Sequence, residues 1–210
     1  MADLSQLFSV FAGALAGSPW ALVVLAAILV IDGFFPFVPG ETAVVTLATF
    51  GVAGVGPHAW QVFVVATIAT MVGDGIAFIV GRTLGTERWR WMRRPRVTAA
   101  FGWAQRGLLR RPALFLMTAK FVPFVRVVVT MTAGASELRV RRYLPISFVA
   151  SVIYTGYHVV IAVFAGTLFS TDPLLGSGAA IVVVLLFGLL FEFIGRLRIQ
   201  RRSTAEPVET

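Results

Sequence analysis

The sequence predicts an all-α polytopic membrane protein: an inverted repeat with two oppositely oriented re-entrant helical hairpins plus about three full transmembrane helices. Three observations predict it. The composition is 58% apolar with only 13% charged residues, about half the charge expected of a soluble domain. The arginines sit at the ends of apolar stretches, where they meet lipid headgroups and set topology. Two apolar stretches, each broken by a proline motif, are too short to cross twice and return to the side they entered from.

Residues 1–19 carry no Lys or Arg, so they lack the basic region of a signal peptide and are expected to be retained. Leu4, Leu7, Phe8, Phe11 and Leu15 recur at helical spacing, which predicts an interfacial N-terminal helix. Residues 20–200 form a single transmembrane domain. Three segments, 57–84, 143–169 and 173–194, are each long and apolar enough to span. Basic residues fall at Arg88–Arg111, Arg139–Arg142 and Arg196–Arg202, and the positive-inside rule places all three groups in the cytoplasm. Segment 112–138 therefore begins and ends inside. Its 27 residues cannot cross twice, since that needs roughly 40 plus a turn, so it enters from the cytoplasm, breaks at Pro123 and returns. Segment 20–53, with 34 residues and a break spanning Pro36, Pro39 and Gly40, is its counterpart from the outside. The breaks share Phe34-Phe-Pro-Phe-Val38 and Phe121-Val-Pro-Phe-Val125, and a helix opening near Pro57 or Pro145 follows each, which suggests the repeat. Residues 86–111, rich in Arg and Trp, form a cytoplasmic amphipathic segment on anionic lipid. Residues 201–210, polar with a proline, form a disordered cytoplasmic tail.

Five charges interrupt apolar sequence: Asp32, Glu41, Asp74, Lys120 and Arg126, with Arg82 near the cytoplasmic end of its helix. Each costs about 2.5 to 3.5 kcal/mol at a helix centre, so each needs a partner or a cavity. Ion pairing such as Asp74 with Arg126 is one reading. The other is a site, because the outer hairpin supplies two acids and the inner one two bases. Lys120 and Arg126 suit an anionic headgroup, Arg by a bidentate fork and Lys as a point charge. Buried carboxylates beside such bases are candidates for proton uptake and release. Gly75 and Gly81 are expected to be packing glycines.

The motifs Pro36-Phe-Val-Pro-Gly-Glu41, Gly73-Asp74 with Gly81-Arg82-x-x-Gly85, and Phe121-Val-Pro-Phe-Val-Arg126 leading to Ala133-Gly134 occur in this order. With them the chain resembles the DedA family, the SNARE-associated Golgi or VTT-domain superfamily, over roughly residues 20–170. The resemblance implies a lipid transporter with two opposed re-entrant hairpins. For a bacterial member it implies a flippase of an anionic polyprenyl phosphate, such as undecaprenyl or decaprenyl phosphate, recycled for the cell envelope. It puts the essential acids on Glu41 and Asp74 and the arginine on Arg126, with Lys120 where Arg is common. Asp32 stands near where many members have another acid. Arg82 joins Arg126 and Lys120 as a headgroup-binding candidate, and Asp32 joins Glu41 and Asp74 as a proton-coupling or gating one.

The expected partners are membrane lipids and protons, with a homo-oligomer allowed and no nucleic acid. The expected location is the bacterial cytoplasmic membrane with the C-terminus inside. No cofactor, metal or catalytic residue is expected: cysteine is absent, and His58 and His158 lie 100 residues apart. A non-selective phospholipid scramblase and a proton-coupled small-solute exporter are the alternatives. An enzyme is disfavoured: Gly176-Ser177-Gly178 lacks a paired histidine, and His158 on one face with Ser151 and Thr155 is expected to bond a neighbouring hydroxyl. A structural or assembly protein would use the 88–111 segment as its contact surface.

Overall fold

The computed structural model describes residues 13, 15–35, 38–85, 95–136, 138–169 and 174–186. Eight helices are described: α1 Ala21–Asp32, α2 Gly40–Val52, α3 Ala59–Leu84, α4 Pro95–Arg110, α5 Pro112–Ala119, α6 Pro123–Ala135, α7 Val140–Leu168 and α8 Leu174–Leu186. Among the described residues there are no strands.

Two of these helices, α3 and α7, are long and apolar enough to cross a membrane. Their 26 and 29 residues, at about 1.5 Å each, exceed a hydrocarbon core of about 30 Å. Neither is a core helix of the soluble kind. On α3, Trp60, Val64, Ile68 and Val72 recur every four residues and are all exposed, Trp60 by 65%. On α7, Val160, Phe164 and Leu168 form a similar stripe, with Phe164 exposed by 67%. In water such a contiguous apolar face would drive association, whereas in lipid it costs nothing. The inward faces carry polar groups instead: Thr67, Thr70 and Asp74 on α3, and Ser147, Ser151, Thr155 and His158 on α7, all buried. The third expected span, 173–194, is described only as α8; its remainder lies outside the described residues.

The remaining apolar helices come as two helix–break–helix pairs. In α1–α2 the members have 12 and 13 residues, in α5–α6 they have 8 and 13, and none reaches 30 Å. Prolines place the breaks. Pro123 opens α6, where a missing N–H is no loss, and Pro39 stands just before Gly40 at the start of α2. Pro36 lies outside the described residues. The pairs clasp the two long helices reciprocally: α1 packs on α3 and α2 on α7, while α5 packs on α7 and α6 on α3.

Close backbone approach makes this possible at a few glycines. A Cβ on Gly81 would collide with the Met131 carbonyl, and one on Gly134 with the Phe78 carbonyl, so α3 and α6 touch through main chain. Gly33 and Gly73 do the same for α1 and α3; a Cβ on Gly33 would stand 2.5 Å from the Gly73 Cα. The expectation of packing at Gly75 is corrected, since its added Cβ would meet nothing within 4 Å.

The helix α7 begins at Val140, earlier than the predicted opening near Pro145, which lies inside its second turn. The amphipathic 86–111 segment is described from Pro95 onward as α4. It buries Phe101, Ala104 and Leu108 at i, i+3, i+7 and exposes Arg106, Leu109, Arg110 and, past its end, Arg111. Of the predicted N-terminal helix only Gly13 and residues 15–19 are described, and Ala16 is buried in the core formed by α1, α2, α3, α7 and α8. The 201–210 tail lies outside the described residues.

Candidate functional site: a buried charge cluster where the helix breaks meet

Asp32, Asp74, Lys120 and Arg126 converge at the centre of the bundle, each 3–5% exposed. Helix termini explain how the breaks present them. Asp32 is the last residue of α1, so its carbonyl has no intrahelical partner. Arg126 supplies one: its Nη2 donates to the Asp32 carbonyl at 2.6 Å and to the Asp32 carboxylate at 3.0 Å. Lys120 caps the C-terminus of α5, where the helix dipole favours a cation. Its ammonium donates to Asp74 Oδ2 at 2.5 Å and to Ser151 Oγ of α7 at 2.6 Å. Asp74, from the middle of α3, also faces Arg126, with Oδ1 at 3.6 Å from Nε. One carboxylate thus answers both bases of the α5–α6 pair.

Glu41 lies beside this group but in a different contact. It stands in the first turn of α2, where the dipole favours an anion, and its Oε1 accepts from the Tyr154 hydroxyl at 2.7 Å. The face of Tyr154 also looks toward both bases, whose charged ends are 5.8 and 5.9 Å from the ring centre. Gly40 matters here because a side chain there would press on Asp32 Oδ2 and Leu29, each within 2.9 Å of the added Cβ.

Two acids and two bases taken out of water cost several kcal/mol per ion, recovered only through close pairing. The pairing is incomplete. Asp74 Oδ1, Arg126 Nε and Ser147 Oγ are buried without a hydrogen-bond partner. The residues that carry them line one small cavity with Lys120, Thr130 and Tyr143, its volume about 10 Å³, room for roughly one water molecule. Tyr143 in turn stacks on Phe78, ring centres 4.2 Å apart.

The structure brings Asp32, Asp74, Lys120 and Arg126 into direct contact and seats Glu41 at the edge of the group. It does not bring Arg82 there. Arg82 lies two turns beyond Asp74, is exposed, and donates to the Leu138 carbonyl at 3.3 Å. Ser147, Ser151 and Tyr154 are neighbours that the sequence reading did not assign to the site. Their signal was the run of hydroxyl-bearing residues at helical spacing inside an apolar span. His158 differs from its expectation: Nδ1 donates to the Tyr154 main-chain carbonyl at 2.7 Å, and not to a hydroxyl. Ser177 donates to the Leu174 carbonyl at 2.9 Å.

Residues 38–167, more than half of the chain, match the VTT domain family. The chain belongs to this family, which is the DedA or SNARE-associated family. A relative from Mycobacterium leprae, described as an uncharacterized membrane protein, is 26% identical over 63% of this chain and 60% of its own length. The chain thus spans about three fifths of that relative. Two Lactococcus lactis proteins, from subspecies lactis and cremoris, are named alkaline phosphatase-like; each is 21% identical over 80% of this chain and 81% of its own length. No solved structure matches. Family, relatives and exposed apolar helices together make this a membrane protein of a family that suggests a transport role.

Proposed function

We propose that the protein is a proton-coupled flippase carrying an anionic polyprenyl phosphate, such as undecaprenyl or decaprenyl phosphate, between leaflets of a bacterial cytoplasmic membrane. The observation that carries this reading is the contact of Arg126 and Lys120 with Asp32 and Asp74 at the junction of two helix breaks. In this arrangement the acids hold the places a phosphate would take. A headgroup reaching the bases displaces a carboxylate, and a proton taken up by the displaced acid removes its charge, so anion and proton enter together. The polyprenyl tail stays in lipid, and only the head needs a protein site.

The same reading takes α1–α2 and α5–α6 as re-entrant hairpins of opposite orientation, related as an inverted repeat, with the C-terminus cytoplasmic. Their reciprocal clasp on α3 and α7 and their short helices support it. Broken helices at membrane depth are tolerated where they line a protein-enclosed polar site. The cavity beside the bases has room for about one water, which fits an occluded state between two access states. Membrane lipids and protons are the proposed partners, and the chemistry is displacement of ions without bond cleavage. Glu41, bonded to Tyr154 and less buried than the four paired charges, is the proposed gate.

Reconstitution into proteoliposomes with a labelled prenyl phosphate, a phospholipid reporter and an imposed pH gradient tests the reading. Transfer of the prenyl phosphate alone, enhanced by the gradient and lost in Arg126→Ala and Glu41→Gln, is expected. Equal movement of both lipids would make the protein a general scramblase. Movement of neither, in folded protein, would point to a small solute.

A further inference from the structure

Three polar atoms inside the protein stay without a hydrogen-bond partner around one cavity: Asp74 Oδ1, an acceptor; Arg126 Nε, a donor; and Ser147 Oγ, either. Their side chains are 3–4% exposed, so bulk water does not satisfy them. Unpaired groups of this kind cost heavily, and native proteins fill such places with a ligand or an ordered water. The volume, about 10 Å³, has room for about one oxygen atom with its hydrogens. An oxygen placed there must accept from Arg126 Nε and donate to Asp74 Oδ1. A hydroxyl does both. A bare phosphoryl oxygen cannot donate, and an esterified oxygen carries an extra carbon.

From this donor and acceptor pattern we infer that the cavity is the seat of one phosphate hydroxyl, with Ser147 as a headgroup-contacting residue, so that the site takes a singly protonated phosphate monoester and rejects phosphodiesters. The inference rests on the proposed lipid transport and narrows its substrate. In the empty state water fills the seat. In the loaded state the P–OH replaces it, donating to Asp74 and accepting from Arg126 Nε and the Ser147 hydroxyl, while the other phosphate oxygens meet Lys120 and the freed Nη2 of Arg126. The proton on that hydroxyl then travels on the lipid: the phosphate binds one H⁺ before entry and gives it up after release, beside the one taken up by the displaced carboxylate. Thr130 and Tyr143 line the same cavity.

The test compares a prenyl phosphate with its methyl diester in proteoliposomes of wild type and Ser147→Ala. Wild type should move the monoester about tenfold faster than the diester, the size of one lost charge-assisted hydrogen bond. In Ser147→Ala the two rates should come within about twofold of each other, again one hydrogen bond's effect. Thermal unfolding in detergent at the wild-type midpoint shows that the variant is folded. Equal rates for both lipids in wild type would overturn the inference, leave a seat for water only, and keep the transport reading intact. A preference that survives in Ser147→Ala would overturn the role of Ser147. Movement of neither lipid in wild type would overturn the transport reading and the inference with it.

Discussion

The two broken-helix pairs differ in how they spend their charges. The pair α5–α6 sends both bases, Lys120 and Arg126, to the same acid on α3, Asp74. The pair α1–α2 divides its acids: Asp32 goes to Arg126, while Glu41 turns away to the Tyr154 hydroxyl and remains partly exposed. The bases therefore form one fixed pole held by a long helix, and the acids form two separable groups, one locked and one at the edge. An anion could replace Asp32 or Asp74 without moving Glu41, and Glu41 could change partner without unpairing a base. This division suits a device in which binding and gating are separate events.

The comparison can be broken most severely at the shared base. Arg126→Ala leaves Asp32 and Asp74 underpaired in a dry interior, and should cost about 3 to 5 kcal/mol of stability with transport falling at least 100-fold. Thermal unfolding in detergent and the transfer assay check both. Next is the glycine contact that fixes the second pair to α3. Gly81→Ala drives a methyl into the Met131 carbonyl and should destabilise by about 1 to 3 kcal/mol, whereas Gly75→Ala, facing open space, should stay within about 0.5 kcal/mol. Tyr154→Phe removes the partner of Glu41, a loss of about 1.5 kcal/mol or somewhat more; it should alter dependence on the pH gradient more than headgroup affinity, which titration with a prenyl phosphate reads. The smallest effect belongs to Arg82→Ala. Exposed and bonded only to the Leu138 carbonyl among its described contacts, it should change transport by less than about twofold, because a surface charge contributes little.

Much of this arrangement was legible in the sequence, for identifiable reasons. Prolines in phenylalanine-rich motifs mark where apolar helices break, and the breaks fall at those places, with α6 opening on Pro123 and α2 just after Pro39. Charges are costly in lipid, so Asp32, Asp74, Lys120 and Arg126 had to find one another, and they do. Arg82 misled because residues eight apart share a side of a helix yet lie about 12 Å apart along it, too far to reach the same group. Ser147 and Ser151 were not assigned because hydroxyls in apolar helices commonly bond their own backbone, as Thr67, Thr70 and Thr49 do with the carbonyls four residues before them. Only the fold distinguishes those from Ser151, whose hydroxyl meets Lys120 from another helix. The partner of Glu41 was hidden for a similar reason, since Tyr154 is 113 residues away in the chain.

The central claim is that the acids stand in for a phosphate at the bases. Binding of a prenyl phosphate to the purified protein, measured for Asp32→Asn beside Arg126→Gln, tests it most directly. If the claim holds, Asp32→Asn removes a competitor and tightens binding several-fold, while Arg126→Gln abolishes it. If Asp32→Asn weakens binding as much as Arg126→Gln does, the acids serve only to hold the bases in place, and the displacement account is wrong.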